Sequence, residues 1–159
     1  MNNLIDGYKV LISSNFSLYV KTHGAHFNVT GMFFQSLHQL FKDQYEDLQA
    51  AHDSIGENMR KLDAFTPASL SEYLKYSIIA DQIEVLDATG YVNRLLLDHE
   101  RMIALLNRVF KLAEAEDKQD HMNFIAERLD AHSKMRWMLK SLVNSVANQS
   151  QVVDVMIKL

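Results

Sequence analysis

The stretch DAFTPASLSEYLKYSIIAD, residues 63–81, interrupts a chain that otherwise repeats apolar residues at helical spacing, and its length decides how the helices are wired. Thr66 and Pro67 suit a helix start, and Ser69 followed by Glu72 has the form of a capping box, so the spacing predicts a short helix over Leu70 to Ile79. Before this stretch lie two long periodic segments. The first runs roughly from Leu4 to Phe27, with Leu4, Tyr8, Leu11, Leu18 and Tyr19 on its stripe, and the second from about Phe33 to Leu62. They meet at NVTG, where Asn28 and Gly31 tolerate turn conformations that a helix interior disfavours. After it come a third segment, about Ala88 to Glu114, and a fourth, about Asp120 to Ser145, joined by EAEDKQD. The third shows Val92, Leu95, Leu96, Ile103, Leu106 and Phe110; the fourth shows Phe124, Ile125, Leu129, Met135, Leu139 and Leu142.

The pattern is all-α. Two short links flank one long middle crossover, which lets the second and third helices run parallel, and that is the wiring of a ferritin-like four-helix bundle with a short extra helix in its crossover. With 159 residues, 48% hydrophobic content, one proline and five glycines, the chain is expected to form a single domain over 1–159. The remaining stripe residues, including the eight methionines and Trp137, read as core. A net charge of -4 supplies no cationic field for a phosphate backbone, so DNA is an unexpected partner. No basic segment followed by a long apolar run opens the chain and no membrane-length apolar run occurs, so a cytoplasmic location is expected. Without cysteine there is neither a disulfide nor a thiolate site, and any metal must be held by histidines and carboxylates.

Bundles of this wiring often hold two irons inside one subunit through Glu-x-x-His pairs, and no Glu-x-x-His occurs here. Helix two offers another set. Asp53 and Glu57, four residues apart, stand about 40° apart on one face, and His38 lies about 60° to the other side of Asp53. His26, at the end of helix one, adds a second imidazole. Two imidazoles and two carboxylates suit Fe(II), Zn or Mn better than Mg or Ca. Yet His38 and Asp53 are about 22 Å apart along the axis, so one chain cannot close such a site. Two chains packed antiparallel about a two-fold axis would bring the histidine end of one onto the carboxylate end of the other, twice. Against this, a single helical His is more often packed or solvated, and an Asp-x-x-x-Glu pair is more often a wet face. Spacing alone leaves both readings open.

The stretch THGAHFNVTGMFFQSLHQLFKDQYEDLQAAHDSIGE resembles the ferroxidase signature of the Dps family of miniferritins: a His, an aromatic-Asn-Val turn, a second His twelve residues on, and a closing Asp-x-x-x-Glu. TPASLSEYLKYSII, LLLDHE and HSKMRWMLKSL extend the likeness over most of the chain. The resemblance implies a hollow homododecamer whose two-fold interfaces each hold two iron-oxidising sites. There Fe(II) is oxidised preferentially by hydrogen peroxide and stored inside as ferric mineral, a protection against oxidative damage. By position, the metal and catalytic residues would be His26 and His38 of one chain with Asp53 and Glu57 of its partner.

Two departures stand out. Where the family usually has a carboxylate four residues after the second His, this chain has Lys42, and Asp43 beside it points about 100° away. Where the family often has a Lys three residues before the first His, this chain has His23, which either fills space near the interface or joins His26 as a further metal ligand and favours zinc. Lys42 admits three readings: a helix-surface pair with Glu46, an ammonium in the place of a second iron, or a mark of a zinc-occupied, structural shell without ferroxidase activity. Phe27 stands where the family often has a tryptophan. The family binds DNA through Lys-rich tails, whereas the first and last ten residues here hold one Lys each. Glu116, Asp117 and Asp120 match the region lining the family's three-fold pores, with Glu127 and Asp130 as further candidates.

Overall fold

The computed structural model describes residues 3–82 and 84–157, with side chains described as far as Val143. Five helices follow one another: α1 Leu4–Asn28, α2 Phe34–Lys61, α3 Leu70–Tyr76, α4 Ala88–Ala115 and α5 Gln119–Ile157, with no strand among the described residues. Local chemistry marks their starts. Asn3 caps α1 through Oδ1, which accepts the Asp6 N–H at 2.8 Å, and Asp87 caps α4 by accepting the Gly90 N–H at 2.6 Å. The Ser69–Glu72 motif forms, with one change: the Glu72 N–H donates to Ser69 Oγ at 3.3 Å, but the Glu72 carboxylate reaches back to the N–H of Ala68 rather than of Ser69, at 3.2 Å.

α3 is shorter than the sequence pattern suggests. Ser77 turns out of the helix into an extended conformation, its hydroxyl both donates to Ile79 O and accepts the Ile79 N–H, and the Ile78 N–H donates to Ser14 Oγ on α1. A local Ser77–Ile79 turn and one long-range bond to α1 therefore end the helix that local propensity would continue. The stacking of Tyr73 on Phe16, with centroids 4.7 Å apart, fixes the crossover across the same helix.

The turns on either side of α2 use left-handed backbone. Gly31 has φ 100° before α2, which costs a glycine nothing, and Asp63 has φ 57° just after it. α1 and α2 form one antiparallel pair and α4 and α5 another, while α1 packs on α4 with opposite direction: Gly7 meets Val109 and Leu112, and Lys21 meets Asp98. A Cβ on Gly7 would come within 3.3 Å of both α4 side chains, so its absence permits the close approach of α1 and α4. Leu4, Leu11, Leu18, Phe41, Leu48, Met102 and Leu106 are among the fully buried side chains at the centre. Each contributes roughly 1.5–3 kcal/mol by leaving water.

The core also contains charge. Lys21 and Asp98 form an ion pair with both side chains buried, and Asp98 takes a second bond from Arg101 Nη1 at 3.0 Å. Such a pair fixes the register of α1 on α4, since separating it would strand a buried charge. Two expected core residues stand elsewhere: Trp137 is 64% exposed and Met32 93% exposed, because one lies on the outward side of α5 and the other in the α1–α2 turn.

Candidate metal centre

α1 ends and α2 begins around a tight turn that brings His26 and His38 face to face, with ring centroids 3.7 Å apart and planes 22° from parallel. Their hydrogen bonds are reciprocal. His26 Nδ1–H donates to the backbone carbonyl of His38 at 2.7 Å, and His38 Nδ1–H donates to the carbonyl of His26 at 2.8 Å. A carbonyl can only accept, so both rings must carry their proton on Nδ1. In the neutral ring this leaves the lone pair on Nε2, and a carbonyl-anchored Nδ1–H is the outer-shell arrangement that orients metal-ligating histidines.

Aromatic rings surround this pair. His23 lies between Phe27, at 4.3 Å, and Tyr45, at 4.1 Å, while Tyr45 presents its ring edgewise to His26 at 5.2 Å. These two ring contacts hold His23 one helical turn from His26, with centroids 6.1 Å apart.

Asp53 and Glu57 lie far down α2. Both are exposed, and both line an open cleft of about 680 Å³ shared with His52, Arg60, Lys61 and Tyr73. The two cations are turned to other partners: Arg60 donates to Ala64 O at 3.0 Å and covers the Phe65 ring, and Lys61 reaches Asn58 Oδ1 at 3.4 Å. His52 at the cleft wall contacts Tyr73 OH at 3.3 Å, and burial holds its pKa below the ordinary value against the raising effect of Asp53. The α2 spacing separates this cleft from His38 by about 22 Å. Among the described residues, no group of three or more His, Asp or Glu within one subunit could hold a metal ion.

Lys42 reaches Glu46, four residues on, at 3.7 Å, with both side chains about half exposed. Asp43 is occupied by Gln39, whose amide donates to it at 2.7 Å. At the α4–α5 link Glu116, Asp117 and Asp120 are all exposed, as are Glu127 and Asp130 farther along α5. Glu116 is not free, because its carboxylate accepts the Leu4 N–H at 2.8 Å and so closes the start of α1. Asp117 takes φ 54°, and Asp120 stands 3.8 Å from His121, whose Nδ1 meets Tyr8 OH at 2.8 Å inside the bundle.

The sequence reading passed over a second histidine pair. His99 of α4 and His132 of α5 are fully buried, with their Nδ1 atoms 2.9 Å apart. Burial pushes the His99 pKa down to about 3, and burial followed by the neighbouring His99 and Arg128 holds His132 well below the ordinary value. Beside them Arg128 forms a two-bond ion pair with Asp47 of α2, at 3.2 and 2.5 Å. A signal was present: His99 sits four residues after Leu95 and three before Met102, on the buried stripe, and His132 lies three before Met135.

Three comparisons bear on this geometry. A ferritin-like domain model matches residues 9–148. A low temperature-induced protein of Nostoc sp. is 31% identical over 134 residues, covering 83% of this chain and 75% of that protein. DNA protection during starvation protein 2 of Bacillus anthracis is 27% identical over 127 residues, covering 80% of this chain and 87% of its own. The crystal structure of antigen TpF1 from Treponema pallidum superposes with a TM-score of 0.85 at 26% identity, over 87% of this chain and 90% of that one.

Proposed function

The chain belongs to the ferritin-like family, in its Dps branch, and on that footing we propose that it is a ferroxidase of a self-assembled iron-storage shell, oxidising Fe(II) with hydrogen peroxide. The observation that carries the reading is the reciprocal bonding of His26 and His38, which orients two Nε2 atoms with no carboxylate among the described residues of their own chain to complete a site. Asp53 and Glu57, exposed at the opposite end of α2, are the complementary half. A two-fold pairing of antiparallel subunits joins each imidazole pair to the partner's carboxylates, and a closed shell repeats that contact.

Iron is the substrate. The imidazoles and carboxylates together suit Fe(II), and the negative charge of the carboxylates favours the ferric product over the ferrous ion. Two Fe(II) give one electron each to one hydrogen peroxide; its O–O bond breaks, two protons are taken up, and two waters result. Pairing the electrons in this way consumes the oxidant without releasing a hydroxyl radical. Lys42 supports a second reading, a zinc-occupied structural shell, since an ammonium stands one turn from His38 where a further carboxylate would bind a second iron. Its contact with Glu46 favours the first reading, because the charge is directed along the surface of its own helix. The acidic link residues serve iron entry, and DNA is not a partner of a chain with this charge balance.

Subunit mixing tests the shared site. His38→Ala and Asp53→Ala shells should each lose rapid peroxide-driven Fe(II) oxidation, while dimers mixed from the two regain about half the sites, because one of the two then has all its ligands. Recovery absent from verified mixed dimers would overturn the inter-subunit assignment. Wild-type oxidation no faster than buffer, with zinc retained through purification, would install the structural reading instead.

A further inference from the structure

Buried polar atoms in folded proteins almost always find a partner, in the protein or in ordered water. In this bundle a group of them on three helices has no partner among the described protein atoms: both amide atoms of Gln44 on α2, His99 Nε2 on α4 and Asn15 Oδ1 on α1. All three residues are essentially inaccessible from outside, at 2%, 0% and 0% exposure.

The register places them together. α2 and α5 run antiparallel and are tied by Asp47 and Arg128. From that tie, Gln44 lies about 4.5 Å along α2 and His132 about 6 Å along α5, in the same direction. His132 carries His99 with it through the Nδ1 contact. Asn15 adjoins the same region, since its amide donates at 2.8 Å to the carbonyl of Leu48, one turn from Gln44 on the same face. Thus Gln44 and His99 converge on one level of the core, and Asn15 stands about 6 Å farther along α2, on the other side of the tie.

We propose that this level of the bundle is a water-binding site, in which one or more ordered waters bridge the Gln44 amide to His99 Nε2 and extend to Asn15. Water fits the donor set: the Gln44 amide offers both a donor and an acceptor, Asn15 Oδ1 accepts, and His99 Nε2 takes whichever role its tautomer leaves it. A buried water needs two to four such partners. A metal ion fits poorly. Asp47, the nearby carboxylate, is committed to Arg128 through both oxygens, and the guanidinium places a positive charge beside the pair. The Asp47–Arg128 tie joins α2 and α5 next to this level, with Asp47 36% exposed and Arg128 12% exposed. The site is independent of the proposed ferroxidase centre.

The test is a crystal structure of the assembled full chain, at a resolution that orders single waters, before and after a zinc chloride soak. Solvent density within hydrogen-bond reach of both the Gln44 amide and His99 Nε2, absent from the same place in Gln44→Met and without an anomalous zinc signal, is the expected result. A wild-type map in which these groups bond directly to protein with no solvent between them overturns it. So does a zinc peak at the His99–His132 pair. Because the wild-type map decides the matter, a Gln44→Met chain that fails to assemble does not rescue the proposal.

Discussion

Two pairs of histidines lie in contact in this bundle, and they differ in what each Nδ1 meets. At the α1–α2 turn, each Nδ1 of His26 and His38 is bound to a backbone carbonyl, which fixes the tautomer and leaves both Nε2 atoms for a ligand. In the core, the Nδ1 atoms of His99 and His132 meet each other, so one imidazole serves as the other's acceptor. The same residue type therefore gives an open, oriented donor pair in one place and a sealed structural pair in the other. The partner of Nδ1, more than the presence of two imidazoles, separates the roles.

The widest separation should be in activity. His38→Ala is expected to slow peroxide-driven Fe(II) oxidation at least about 100-fold, whereas His132→Ala in assembled shells stays within about twofold of wild type; stopped-flow initial rates measure both. Equal losses in the two variants would break the comparison. Stability should sort them the other way. His132→Ala removes buried volume and the Nδ1 partner of His99, a loss of about 2–4 kcal/mol, while His38→Ala, at a half-buried position, costs roughly 1 kcal/mol or less; thermal midpoints of the shells would show the order.

Acid sharpens the contrast. His99 and His132 have folded pKa values below the unfolded one near 6.5, so the unfolded chain binds protons first as the pH falls. Their contribution is intact above about pH 6.5 and declines from there toward about pH 3, the folded value of His99, by up to about 1.4 kcal/mol per pH unit for each imidazole. Asp47 and Arg128 face the pair from α2 and α5 and are the charges against which it titrates. Urea midpoints between pH 7.5 and 4 should fall steeply in wild type and less steeply in His132→Val. The smallest effect belongs to Lys42. Lys42→Ala should change stability by a few tenths of a kcal/mol and the oxidation rate by less than about twofold; a large gain in rate would show that the ammonium had been holding the place of a second iron.

The helix wiring was legible in the sequence because it rests on local signals: a 3.6-residue stripe, turn residues at NVTG, and a capping motif in the crossover. Where a distant group intervenes, the reading slips. α3 ends at Tyr76, where Ser77 bonds Ile79 and the Ile78 N–H bonds Ser14 on α1, and the second of these contacts is one that no local pattern encodes. Trp137 lay on an apolar pattern, but whether a subunit covers that side of α5 is a matter of packing, and here the ring is exposed. The candidate site was half visible. Spacing offered His26, His38, Asp53 and Glu57 as candidates and their separation along α2, and the family resemblance joined them into one site, whereas the crossed imidazole–carbonyl bonds depend on the dihedrals of one turn. The core histidines were hidden by the stripe itself, since a histidine among leucines looks like one more buried position.

The crossed bonds at the α1–α2 turn also bear on the order of events in assembly. A single hairpin supplies both imidazoles and both carbonyls, so the donor pair is set when that hairpin folds, before a second subunit arrives. Under the proposed two-fold pairing, docking would bring two preset halves together without reordering the imidazoles, and the entropic cost of aligning them would be borne by chain folding rather than by iron capture.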